Sequence, residues 1–179
     1  DATVAVQRMR KLENINIMVG PPANSNDDEK VLRKFLSSEG KKIVCGGTTS
    51  QIVARYLNEE IVPQLKYIDK NVPPIASIKG IDLVTEGVLT LSRAIEIIDG
   101  YTTSGDINFD YLVGLDGASQ LARLLLEEST SIHFYVGTAI NPAHQNPDFP
   151  TELSIKPNLV RHLTKSLEAA GKKVILEFY

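Results

Sequence analysis

A chain of 179 residues, 42% hydrophobic and 23% charged, is enough for one domain with a sizeable core. Its 19 Lys and Arg against 22 Asp and Glu leave a formal net charge of −3, which argues against a large nucleic-acid or anionic-membrane footprint. No stretch approaches the ~20 apolar residues of a membrane span, no signal sequence opens the chain, and the single cysteine, Cys45, excludes disulfide scaffolds and Cys-rich zinc sites and fits a reducing, cytoplasmic setting.

The chain opens on Asp1 rather than on methionine, so we read it as an excised or processed piece of something longer. Residues 2–9 alternate Val4 and Val6 with smaller or polar residues and predict a strand, as does the apolar run 15–19, which ends in Gly20-Pro21-Pro22. A helix is expected over 29–38, with Val31, Leu32, Phe35 and Leu36 inward and Gly40 as its stop. Residues 41–45 read as a short buried strand, Gly46-Gly47-Thr48-Thr49-Ser50 as a loop, and 51–57 as a helix. The stretch 58–79, with Pro63, Pro73 and Pro74, is an excursion that the pattern does not place. A strand at 81–84, a turn at Thr85-Glu86-Gly87 and a helix over 88–98 follow, then a polar linker from 100 to 108. Residues 109–128 look helical but are interrupted by Gly114 and Gly117. A strand at 132–136, a long polar loop over 137–151, a helix over 158–169 and a strand at 174–178 close the pattern.

Four helix-linked strands of this kind predict an α/β fold: an open three-layer sandwich with a mostly parallel sheet, Rossmann-like. Ligands of such folds gather outside the carboxyl ends of the strands, which directs attention to the loops there. Gly46, Gly47, Thr48, Thr49 and Ser50 combine backbone freedom, exposed amides at a helix start and three hydroxyls, a phosphate or carboxylate cradle. The loop has neither the lysine of a Walker motif nor the G-x-G-x-x-G spacing, and a plain turn with Thr or Ser as N-cap fits it equally. Thr85, Glu86 and Gly87 sit at the equivalent end of another strand, where Glu86 is a base, a partner for ligand hydroxyls, or a carboxylate complementing a helix dipole. In the long loop Asn141, His144 and Asp148 offer hydrogen-bonding or acid–base groups, though a proline-stiffened crossover would look the same. His133 and His162 read as structural, the three histidines have no metal spacing, and Cys45 reads as a buried small hydrophobe rather than a nucleophile.

Asp1-Ala2-Thr3-Val4-Ala5-Val6 resembles the closing strand of SpoIIE-type protein phosphatases, the bacterial branch of the metal-dependent 2C Ser/Thr phosphatases. Gly20-Pro21-Pro22, Asp27-Asp28-Glu29-Lys30-Val31, the run from Lys41 through Arg55, Ile81-Asp82-Leu83-Val84-Thr85-Glu86-Gly87 and Asn141-Pro142-Ala143-His144-Gln145-Asn146-Pro147 look like the region that follows that catalytic domain. The resemblance implies that residues 1–12 are the end of the phosphatase domain and 13–179 a single α/β accessory domain. The Mn²⁺ or Mg²⁺ pair would lie in the upstream catalytic domain, leaving no cofactor and no phosphatase activity in this piece. Leu83-Val84-Thr85-Glu86-Gly87 looks like that family's Thr-Asp-Gly metal motif, but it follows the closing strand instead of preceding it and carries Glu for Asp; Glu86 is therefore not expected to bind metal.

The expected function is a regulatory or small-anion-sensing domain whose partners are its own upstream phosphatase domain, an anionic small molecule and, for the parent, a phosphoprotein regulator; nucleic acid and membrane are not expected. A sugar-phosphate-binding enzyme or sensor is one alternative, with Glu86 or His144 as the base. A docking module whose loops bind nothing is the other.

Overall fold

The computed structural model describes residues 2–5, 11–64, 72–103, 113–139 and 155–179. Among these residues it is a mixed α/β fold with five α-helices and a seven-stranded, mostly parallel sheet. The strands are β1 (Asn14–Val19), β2 (Lys41–Cys45), β3 (Val62–Pro63), β4 (Ala76–Ser77), β5 (Leu83–Thr85), β6 (Ser131–Val136) and β7 (Lys173–Phe178), in the order β3-β4-β5-β2-β1-β6-β7. β5, β2, β1, β6 and β7 are mutually parallel, while β3 and β4 extend the β5 side antiparallel. The helices are α1 (Asp28–Ser37), α2 (Gly47–Leu57), α3 (Val88–Thr103), α4 (Gly117–Leu126) and α5 (Ile155–Ala169).

Successive residues of a strand face opposite sides of the sheet, and the apolar set divides accordingly. Ile15, Ile17 and Val19 join Ile43, Leu83, Phe134 and Val136 in a core with α3, α4 and α5. Met18, Val44 and Tyr135 face the other way and pack against Val31, Leu32 and Phe35 of α1 and Val53 of α2. The central strands are covered on both sides, which is why they read as continuous apolar runs rather than alternations.

Several expectations need correction. Ala2, Thr3, Val4 and Ala5 are not in a strand, and Val4 is 86% exposed; alternation makes no strand without an edge to pair with. The other residues of that predicted strand lie outside the described residues. Gly47-Thr48-Thr49-Ser50 is not a loop but the first turn of α2, capped by Gly46 without a side-chain bond. Thr85 is the last residue of β5 rather than part of the turn. α3 runs past Ile98 through Gly100 to Thr103, because Ile97 and Ile98 keep its inner face buried. Gly117 opens α4 rather than breaking a longer helix, since the Asp116 carboxylate accepts from the amides of Ala118 and Ser119. α5 begins three residues earlier than expected, with Pro157 in its first turn, where a proline costs no hydrogen bond. The excursion resolves in part into the β3–β4 pair, with Pro63 on the outermost strand as its missing amide requires.

Candidate functional site

The five parallel strands end in one row. Thr85 is in register with Cys45, Cys45 with Val19, Val19 with Val136, and Val136 with Phe178. The turns that follow therefore lie side by side at about 4.8 Å spacing. Backbone bonds tie them together: Gly46 N donates to Thr85 O at 2.9 Å, Gly20 N to Cys45 O at 3.4 Å, and Gly137 N to Val19 O at 2.9 Å.

At this edge the starts of α2 and α3 are built alike. Gly46 caps α2 at φ 120° and Gly87 precedes α3 at φ 146°, conformations that side chains rarely adopt. The two turns touch, since a Cβ built on Gly87 would lie 3.3 Å from Gly46 Cα. The first bonds inside the helices are Ser50 N to Gly46 O and Leu91 N to Gly87 O, both at 2.9 Å. The amides of Gly47, Thr48 and Thr49, and of Val88, Leu89 and Thr90, thus precede the helical ladder, where orphan donors gather and favour negative charge.

The third position of each helix is a threonine. Thr49 is 1% exposed and Thr90 0%, and among the described residues neither Oγ1 has a hydrogen-bond partner. Thr49 Oγ1 points at the turn, 3.1 Å from where a Gly46 side chain would begin. Thr85, 3% exposed, lies with its hydroxyl against the Cys45 thiol. A buried unbonded hydroxyl costs about 1–3 kcal/mol, so two at the heads of touching helices are a departure from the usual pairing of buried polar groups. Gly117, at the head of α4, packs on the methyls of Thr85 and Thr90, bringing a third helix start to the cluster.

Gly46, Gly47, Thr48, Thr49, Thr85, Glu86 and Gly87 are thus brought together. Ser50 is adjacent, but its hydroxyl is spent on Gly46 O at 2.8 Å. Glu86 is exposed beside the row. Asn141, His144 and Asp148 lie outside the described residues. Thr90 was missed by the sequence reading, which passed over it inside an apolar helix; its place three residues after Gly87, matching Thr49 after Gly46, was the available signal. Cys45 is buried, and desolvation pushes its thiol up to about 11, so it carries no thiolate at neutral pH. Asp28, in the first turn of α1, has one buried carboxylate oxygen without a partner, and burial followed by the charge of Asp27 raises its pKa.

His133 and His162 are in structural pairs away from this edge row. His133 Nε2 lies 2.9 Å from Glu177 Oε1. Glu177 also accepts from Lys34 at 2.6 and 2.7 Å and from the Tyr179 hydroxyl, while the Tyr135 and Ser38 hydroxyls bond at 2.8 Å. His162 Nε2 meets Asp99 Oδ2 at 2.7 Å, and Ser166 donates to the other oxygen of Asp99, locking α5 to α3. An Asp between Ser and His is not the order of a nucleophilic triad, in which the His must bridge. Among the described residues there is no group of three metal-ligating side chains and no helix long and apolar enough to cross a membrane. A shallow groove of about 460 Å³ beside β3 and β4, lined by Glu59, Glu60, Val62, Ser77, Ile78 and Lys79, shares no residue with the row. Comparison with protein-family models, curated proteins and solved structures yields no match.

Proposed function

We propose that this chain is a small-anion-sensing regulatory domain that binds its ligand over the starts of α2 and α3. One observation carries the reading: two touching, glycine-headed helix starts, each with a buried threonine hydroxyl at its third position and no partner for it. Orphan amides, two helix dipoles and two donor hydroxyls together suit a phosphate or carboxylate. The fold that goes with this function is a three-layer, Rossmann-like sandwich. The strand order and the division of apolar residues between two helix sets support it.

The resemblance of the sequence to SpoIIE-type Ser/Thr phosphatases supplies the setting: a cytoplasmic accessory domain whose partner is its own upstream phosphatase domain. Any metal pair would belong to that domain, and a phosphoprotein regulator would be the parent's substrate. The rival docking-module reading leaves the orphan hydroxyls of Thr49 and Thr90 without a role.

The test is thermal unfolding of the chain against phosphate, sugar phosphates and nucleotides. A ligand at 100 times its Kd should add about 2.7 kcal/mol to stability. No stabilisation by any anion would sink the sensing proposal. Turnover of a sugar phosphate, lost in Glu86→Gln, would instead mark an enzyme.

A further inference from the structure

Beyond the α2 and α3 starts, the row of strand ends continues to β1 and β6, where the strand order reverses. The chain passes from β1 to β2 on one side and returns later to β6 on the other, and crevices at such switch points are where parallel sheets take ligands. Lys156, the second residue of α5, sits over this point. A Cβ built on Gly20 would lie 2.5 Å from Lys156 Nζ and 3.0 Å from both Lys156 Cδ and the Gly137 carbonyl oxygen.

The lysine is half-buried, and among the described residues its ammonium has no hydrogen-bond or ion-pair partner. The other half-buried lysines among the described residues are matched. Lys41 pairs with Glu128, Lys42 donates to Ser38 O and Gly40 O, and Lys172 donates to Leu126 O and Ser129 O. An unmatched cation withdrawn from water is disfavoured, and desolvation holds the Lys156 pKa below the usual lysine range. Its position explains what would match it. Gly20 is bonded through its amide to Cys45 O, so the ammonium packs on the turn next to the one that heads α2.

We infer that Lys156 is the counter-charge for the anion, and that the ligand is a phosphate monoester of a hydroxylated molecule such as a sugar. This rests on the reading above. The phosphate would lie between Lys156 Nζ and the Gly47–Thr49 amides, with the buried Thr49 hydroxyl as a further donor. Glu86, exposed on the same edge, repels a bare anion but accepts from hydroxyl groups, which favours a ligand that carries both.

Calorimetric titration of the chain with ribose 5-phosphate, inorganic phosphate and ribose tests this, in the wild type and in Lys156→Gln and Lys156→Arg, with circular dichroism to verify folding. The expected result is binding of ribose 5-phosphate in preference to both fragments. Lys156→Gln should weaken it at least tenfold and flatten its salt dependence, and Lys156→Arg should retain most of it. Equal affinity and equal salt dependence in wild type and Lys156→Gln would overturn the role of Lys156 alone. Preference for inorganic phosphate over the ester would overturn the ligand class. A wild type that binds none of the anions would remove the underlying reading with it.

Discussion

Two polar regions of this molecule treat their hydrogen-bonding groups in opposite ways. On the face of β6 and β7 that looks toward α1, Lys34, Glu177, Tyr179 and His133 form one connected network, with the Tyr135–Ser38 pair beside it. At the carboxyl ends of β1, β2 and β5, among the described residues, Thr49 and Thr90 are buried without partners, and Lys156 is half-buried without one. The first arrangement holds elements together, since each polar atom gains what water would have given it. The second leaves unmatched donors in neighbouring turns, an arrangement that stabilises nothing in the free protein and is readily explained by a ligand. His133 and Glu177, of the kinds of residue that usually attract a search for chemistry, lie in the satisfied region.

The largest expected effect falls on the backbone of the unsatisfied edge. Gly87→Ala forces a Cβ at φ 146° and 3.3 Å from Gly46 Cα; it should cost about 2 kcal/mol in denaturant unfolding and abolish anion binding. Unfolding near the wild-type midpoint would show that the two turns are not held in contact.

The satisfied region should reveal itself by acid. Lys34, then Tyr179, hold the Glu177 pKa down to about 2 in the folded protein against an ordinary 4.5. Its contribution is therefore complete above about pH 4.5 and is lost as pH falls toward 2. Burial lowers the His133 pKa, so the unfolded chain binds that proton more readily and stability also declines as pH drops below about 6.5. Both losses run the same way. Allowing for solvent screening at the partly exposed Glu177, its share is about 1–2 kcal/mol, and Glu177→Gln should flatten the unfolding free energy between pH 4.5 and 2.

The smallest effect contrasts the regions most directly. Thr49→Val keeps the shape and removes an orphan hydroxyl, so the free protein should gain about 1 kcal/mol while losing ligand affinity. Tyr135→Phe removes a partnered hydroxyl and should lose about 1 kcal/mol. Thermal unfolding of the two variants, without ligand, should move in opposite directions; movement in the same direction would erase the distinction.

The central parallel strands were legible in the sequence because both of their faces are buried, so that runs such as Ile15-Asn16-Ile17-Met18-Val19 are apolar almost throughout. The turn residues were legible because glycines and hydroxylated residues cluster after strands. The first turn of α2 was not, since Gly, Thr and Ser are poor helix formers that only the surrounding packing makes helical. Lys156 was invisible as a site residue for a different reason. Nothing near it in the chain resembles a motif, and its place over Gly20 follows from the β6–α5–β7 crossover, which no local pattern encodes.

The register of β1 also bears on how the chain assembles. Ile15 pairs with Lys41 on one side and with Ile132 on the other. The first contact closes a short span of chain, whereas the second unites segments more than a hundred residues apart and carries a larger entropic barrier to closure. The β1–β2 unit can therefore nucleate early, with β6 zipping on afterwards. Gly20 and Gly137 come together under Lys156 only once that late seam has formed, so a ligand gripping both sides of it would selectively hold the last joint of the fold shut.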